Sequence, residues 1–163
     1  MQDMLVKLLE LPDETELYKK LEKGNVRIFR PLAPDKKLVC DYVKEVFGEY
    51  SVGEAEACFA QTPVSMFIAT ENDKIVGFSC YEATARGFFG PMAVSDSQQG
   101  KQLGRALLVR GLEAMRESGY VYAIIGGVGP VPFYEKCVGA KLIEGSNPGI
   151  YRNFISPLQN GNK

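Results

Sequence analysis

Apolar residues recur along this chain in two rhythms, one near every third or fourth position and one at every second, and the changes of rhythm divide it into elements. Leu5, Leu8 and Leu9, then Leu17, Tyr18 and Leu21 after Pro12, keep helical spacing up to Gly24 and Asn25, so residues 1–25 are expected to be a helical N-terminal extension. Val26–Phe29 alternates like a strand. Pro34 opens a helix with Leu38, Tyr42, Val43 and Val46 on one face, ended by Gly48, and a short helix over Val52–Ala60 follows. Met66–Ala69 and Ile75–Tyr81 flank the polar Glu71–Lys74 cluster and read as an antiparallel hairpin. Phe88–Val94 is the next strand. A loop, Ser95–Gly104, leads into a helix to Glu117 with Leu108, Leu112 and Met115 inward and Arg105, Glu113 and Arg116 outward. Val121–Ile125 reads as a buried strand, broken by Gly126, Gly127 and Gly129, and Pro130 starts a short helix that ends near Gly139. Ala140–Ile143 and Ile150–Ile155 are expected as two last strands, and Pro157–Lys163 as a disordered tail. The order implies one α/β (α+β) domain over residues 26–156.

Composition narrows the chemistry. With 163 residues, 45% hydrophobic and 24% charged, the chain has the makings of one core. Nineteen basic and twenty acidic residues leave a net charge of -1, which gives no global case for nucleic acid or an anionic membrane as partner. Residues 1–10 carry Asp3, Lys7 and Glu10 and no long apolar run, so a cytoplasmic location is expected. Cys40, Cys58, Cys80 and Cys137 are widely spaced and there is no histidine, so no metal site and no disulfide framework is expected. Without histidine, proton transfer falls to carboxylates, tyrosines, backbone or water.

The stretch from Gly90 to Ile143 carries the chemical signal. A strand, a glycine-containing loop and the first turn of an amphipathic helix offer unpaired N–H groups and the positive end of a helix dipole, a cradle for phosphate. Gly100 and Gly104 remove Cβ atoms where a phosphate would approach, and Lys101 and Arg105 add charge at the same edge. Gln99-Gly100-Lys101-Gln102-Leu103-Gly104-Arg105 resembles the acetyl-CoA loop of the GNAT superfamily of N-acetyltransferases, and Phe133-Tyr134-Glu135-Lys136-Cys137-Val138-Gly139-Ala140 resembles that superfamily's C-terminal motif. The resemblance covers roughly Val26 to Ile155. It implies a GNAT-like mixed, largely antiparallel central sheet with helices on both faces and a splayed, bulged central strand pair. Two departures stand out. Gln102 replaces the first glycine of the pattern, and a negative φ there, with Cβ turned outward, is the expectation. Ser95-Asp96 stands where many members have proline, which reads as neutral.

The resemblance also implies roles. Acetyl-CoA would be the cosubstrate, held at Gln99, Gly100, Lys101, Gln102, Leu103, Gly104 and Arg105. The main chain of Met92, Ala93 and Val94, beside the bulge that Pro91 marks, would bind the pantetheine arm and polarise the thioester. Tyr134 would protonate the leaving thiolate, a task a phenol of pKa about 10 suits. Cys137 on the same helix reads as a core residue. An amine must lose a proton before attack, and Glu82 and Asp96 are the base candidates by topology; Glu54 and Glu56 lie in the region that lines the acceptor site in related proteins. Tyr81, Phe88, Phe89 and Tyr151 are core or pocket aromatics. The expected activity is transfer of an acetyl group from acetyl-CoA to a primary amine of a small molecule, peptide or lysine, by direct attack in a ternary complex. A CoA-binding sensor without turnover, another acyl-CoA donor and a homodimer all stay open.

Overall fold

Seven strands form one sheet in the order β2-β3-β4-β5-β6-β1-β7. The structure, a computed structural model, describes residues 1–155; the tail expected beyond Pro157 lies outside them. In chain order the strands are β1 (Met4–Lys7), β2 (Val26–Phe29), β3 (Met66–Glu71), β4 (Lys74–Tyr81), β5 (Phe88–Val94), β6 (Tyr122–Ile125) and β7 (Lys141–Leu142). The helices are α1 (Thr15–Lys23), α2 (Lys36–Phe47), α3 (Val52–Phe59), α4 (Leu103–Glu117) and α5 (Val131–Val138). All pairings are antiparallel except β5 with β6. The β3–β4 hairpin closes more tightly than its polar cluster implies: Glu71 pairs with Lys74, and Asn72 and Asp73 both take positive φ, as a two-residue turn matched to strand twist requires.

Strand alternation feeds two cores. Phe67, Ala69, Val76, Tyr81 and Phe89 face α1, α4 and α5, while Met66, Ile68, Phe78 and Cys80 face α2 and α3. Helix α4 lies close enough to the sheet that a Cβ on Gly111 would come within 2.6 Å of the Phe89 ring, so glycine is required by proximity there.

Four expectations need correction. Leu5, Leu8 and Leu9 do not belong to a helix: Met4 and Val6 are buried in β1, Leu8 is buried in the following 3-10 turn, and Leu9 is exposed. A short apolar run satisfies both rhythms, and what decides is the place waiting for it between β6 and β7, with Met4 opposite Ile125 and Leu142. The same insertion explains the second correction. With β1 already beside β6, Ile150–Ile155 has no sheet edge to join there; Gly149–Asn153 forms a 3-10 helix, and β7 is only two residues long. In α2 the buried face is Val39, Cys40 and Val43, one position round from the expected one, and Leu38 is 64% exposed. Lastly, α4 is not open on its outer side, because the N-terminal segment crosses it. Tyr18 donates to Glu113 at 3.1 Å, and Arg105 donates through Nε to the buried carboxylate of Glu14 at 2.6 Å.

Candidate functional site

The parallel pairing of β5 with β6 stops almost as soon as it begins. Phe88 and Phe89 register with Ile124 and Ile125, and Gly126 N–H reaches Phe89 O at 3.4 Å. Beyond that point β5 keeps its partner β4 through Val94, after an irregularity between Ser79 and Tyr81, while the chain after β6 turns away at Gly126. A wedge therefore opens in the middle of the sheet. Ser95 N–H donates to Val76 O at 2.9 Å, so by antiparallel alternation Ala93 exchanges hydrogen bonds with Phe78, whereas Met92 and Val94 turn their N–H and C=O groups into the wedge. The geometry thus separates the three residues expected to act together. Met92 and Val94 are available to a guest, and Ala93 is committed to β4.

Past Val94 a 3-10 turn, Asp96–Gln98, and the Gln99–Gln102 loop lead to α4. The first hydrogen bond of this end of the helix runs from Ala106 N–H to Gln102 O, and no side chain caps the terminus, leaving the N–H groups of Leu103, Gly104 and Arg105 without helical partners. Three unpartnered N–H groups at a helix start are what the expected phosphate cradle requires, and two details differ from the expectation. Gln102 sits at φ 60°, ψ 21°, the left-handed region rather than the negative φ expected. This backbone turn needs a positive φ, which is why glycine suits the position and why glutamine there is strained by about 1 kcal/mol. The cations are also not free. Lys101 Nζ binds Glu71 Oε1 at 2.8 Å, and Arg105 is held by Glu14. Gln99 and Gly100 are exposed; Gln98, beside them, is buried and donates to Glu71 at 2.8 Å, pinning the loop to the β3–β4 hairpin. The cradle is thus made of backbone, with its flanking charges internally neutralised.

Helix α5 packs against this end of α4. The Phe133 ring lies 3.7 Å from where a Cβ on Gly104 would be, and Tyr134 meets Phe133 edge-on with ring centroids 5.1 Å apart. Burial, with Cys137 nearby, pushes the Tyr134 phenol above its ordinary pKa, so it is protonated at neutral pH. Cys137 is buried in the core, as expected.

On the opposite face the wedge opens into a cleft of about 890 Å³. Phe89, Gly90, Pro91, Gly126 and Gly127 form its floor, and Glu54, Thr84, Tyr151 and Phe154 are among its walls. Thr84 Oγ1 donates to Glu54. Burial raises the pKa of Glu54, against the lowering effect of hydrogen bonds from Thr84 and Ser51. The Tyr151 hydroxyl lies over Gly126: a Cβ on that glycine would overlap it and stand 2.8 Å from Phe88. Burial, then the negative charges of Asp3 and Glu54, raises the Tyr151 pKa. Asp3 Oδ1 also accepts from Gly127 N–H at 2.8 Å, fixing the chain where it leaves β6.

The other carboxylates are placed elsewhere. Glu82 accepts from Gly87 N–H at 2.5 Å and from Tyr120 at 2.9 Å, stapling the turn between β4 and β5. Asp96 is exposed in the loop before α4, away from the residues that line the cleft, and Glu56 pairs with Lys36 at 3.4 Å on the outer surface. Tyr81 is buried and stacks on Phe67. The sequence offered no signal for Asp3 and Glu14, because both act across more than ninety residues of chain.

A family profile settles the relationship: that of the Acetyltransferase (GNAT) family matches residues 32–140, well over half of the chain. The chain belongs to the GNAT acetyltransferase family. No curated protein matches it. Solved structures share the GNAT fold at low identity. A glucosamine N-acetyltransferase region of a fungal multi-domain GH3 β-N-acetylglucosaminidase superposes with a TM-score of 0.70 at 10% identity, covering 87% of this chain and 19% of that one. A GCN5-related N-acetyltransferase from Sphaerobacter thermophilus gives 0.62 at 17%, covering 87% and 48%. One from Kribbella flavida gives 0.58 at 14%, covering 86% and 53%. The chain thus spans about half or less of the length of these GNAT proteins. Among the described residues no helix is long and apolar enough to cross a membrane.

Proposed function

We propose that this GNAT protein transfers an acetyl group from acetyl-CoA to a primary amine by direct attack within a ternary complex. The observation that carries the reading is the wedge between β5 and β6, which joins the N–H cradle of α4 on one side to the cleft on the other. In this reading the N–H groups of Leu103, Gly104 and Arg105 hold the pyrophosphate, and the main chain of Met92 and Val94 lines up the pantetheine arm and polarises the thioester carbonyl. The amine enters from the cleft. Its nitrogen bonds to the carbonyl carbon, the C–S bond breaks as the tetrahedral intermediate collapses, and the thiolate takes the Tyr134 proton. Tyr134, raised in pKa, keeps that proton until a thiolate is generated.

Thermal unfolding with CoA tests the donor half. At a hundredfold excess over Kd, binding adds about 2.7 kcal/mol, a rise in Tm of roughly 5 to 10 °C for a domain of this size. ATP and NAD serve as controls, and Gly104→Val, which pushes methyl groups toward Phe133 and the cradle, removes the shift. A flat CoA titration overturns the reading. Free-thiol release from acetyl-CoA with a panel of amines tests turnover.

A further inference from the structure

The cleft is chemically one-sided. Among its described lining residues Glu54 is the one charged side chain. The Met1 amino group, at its edge, is turned to Asn147 Oδ1 at 2.9 Å in an exposed position. Among the described residues no Lys or Arg lines it to receive a carboxylate, sulfate or phosphate. Its rim is apolar and aromatic, with Phe47, Tyr50 and Phe154 each more than two-fifths exposed, an unusual amount of greasy surface around one opening. Its floor is the place where β5 parts from β6, so whatever it holds faces the donor wedge.

We infer that the acceptor is a primary monoamine with an aromatic or apolar body and no anionic group, and that Glu54 binds its ammonium and takes its proton. This rests on the transferase reading above and narrows it. The Thr84 hydroxyl fixes the carboxylate while its desolvation makes it a stronger proton acceptor than an exposed glutamate. An alkylammonium of pKa about 10.4 must be deprotonated to attack, and the acid formed at Glu54 balances that first proton. The second N–H proton, lost through water as the amide forms, restores the proton that Tyr134 gives to the thiolate, and Glu54 then releases the first. The sum is ammonium plus thioester going to amide, thiol and one proton released to water. Tyr50 and Tyr151 give the cation aromatic neighbours. Tyr151, Cys58 and Cys80 are the titratable side chains coupled to Glu54 from the neighbouring elements, and none is a cation at any pH.

The test compares phenethylamine, phenylalanine, spermidine and phenethyl alcohol as acceptors, with CoA binding measured in parallel by thermal shift. Phenethylamine is expected to be acetylated with a kcat/KM at least tenfold above phenylalanine and spermidine, and phenethyl alcohol not at all. Glu54→Gln is expected to lower kcat/KM for phenethylamine by at least a hundredfold with the CoA shift unchanged, and Glu54→Asp to restore part of it. If phenylalanine or spermidine is preferred, or Glu54→Gln keeps activity within threefold, the inference is overturned and the transferase reading stands; if CoA binds and no amine in the panel reacts, the inference is overturned and only the donor half of that reading stands. If neither CoA binding nor acetyl transfer occurs, it is the transferase reading that fails, and the inference goes with it.

Discussion

The two faces of the sheet offer different materials for recognition. On the α4–α5 face the candidate donor site is built of main chain: three helix N-terminal N–H groups and the inward-turned peptides of Met92 and Val94, with Lys101 and Arg105 absorbed by Glu71 and Glu14. On the α2–α3 face the cleft is walled by side chains from distant segments, with one desolvated carboxylate among aromatic rings. A site made of backbone tolerates few changes of conformation and many of residue, so its local pattern persists in recognisable form. A site made of side chains changes with each residue that lines it.

Substitutions on one face should leave the other intact, and the largest effect is expected at the junction. Tyr134→Phe should lower kcat by ~10² to 10⁴ while CoA affinity stays within a few fold, since the ring packing is kept and only the proton is lost. Steady-state rates across pH check this, and full activity would return Tyr134 to the core. Gly126→Ala comes next. Its Cβ must displace the Tyr151 hydroxyl or Phe88, so acceptor KM should rise by about tenfold and stability fall by about 1–3 kcal/mol. Isothermal titration should find CoA affinity unmoved; a loss of CoA binding would mean that the two faces are not separable.

The third effect is one of stability with a definite sign. Glu54 has a raised pKa in the fold, so its charged form is penalised at neutral pH and the penalty disappears below the unfolded-state pKa of about 4.3. Glu54→Gln should therefore raise Tm at pH 7 by roughly 1 to 4 °C, with the advantage fading as pH falls toward 4. Melting curves over that range decide it. The smallest expected effect is at Gln102, where glycine relieves the left-handed strain at some cost in unfolded-state entropy. Gln102→Gly should stabilise by no more than about 0.5 kcal/mol and keep or modestly tighten CoA binding. Weakening beyond tenfold would make the glutamine side chain itself a ligand.

What could be read along the chain follows the same division. The hairpin, β5, α4 and α5 were legible because each is long or punctuated by Gly and Pro, and the loop motif because backbone geometry leaves glycines behind. The strand character of Met4–Lys7 was not, since four apolar-rich residues fit either rhythm and only partners more than a hundred residues away choose between them. Glu82 looked like a base because it ends a strand; its partners, Gly87 N–H and the Tyr120 hydroxyl, make it a turn staple. Glu54, one acidic residue on a short helix, acquires its meaning from Thr84 and from burial. Tyr151 needed a fold in which the final segment curls over Gly126 instead of extending along the sheet.

The position of β1 carries a consequence for how the molecule assembles. Met4 meets Ile125 and Leu142, so β1 pairs only with strands more than a hundred residues further along the chain. The β2–β5 meander and its helices can close from neighbouring sequence, whereas the β6-β1-β7 half needs the chain drawn into one very long loop, a slow step of high contact order. Asp3, which pins Gly127, travels with that strand. The floor of the cleft is therefore completed when residues 3–7 meet residues 122–142, and refolding followed by fluorescence of an acceptor analogue should lag behind the burial of Phe67 and Phe78.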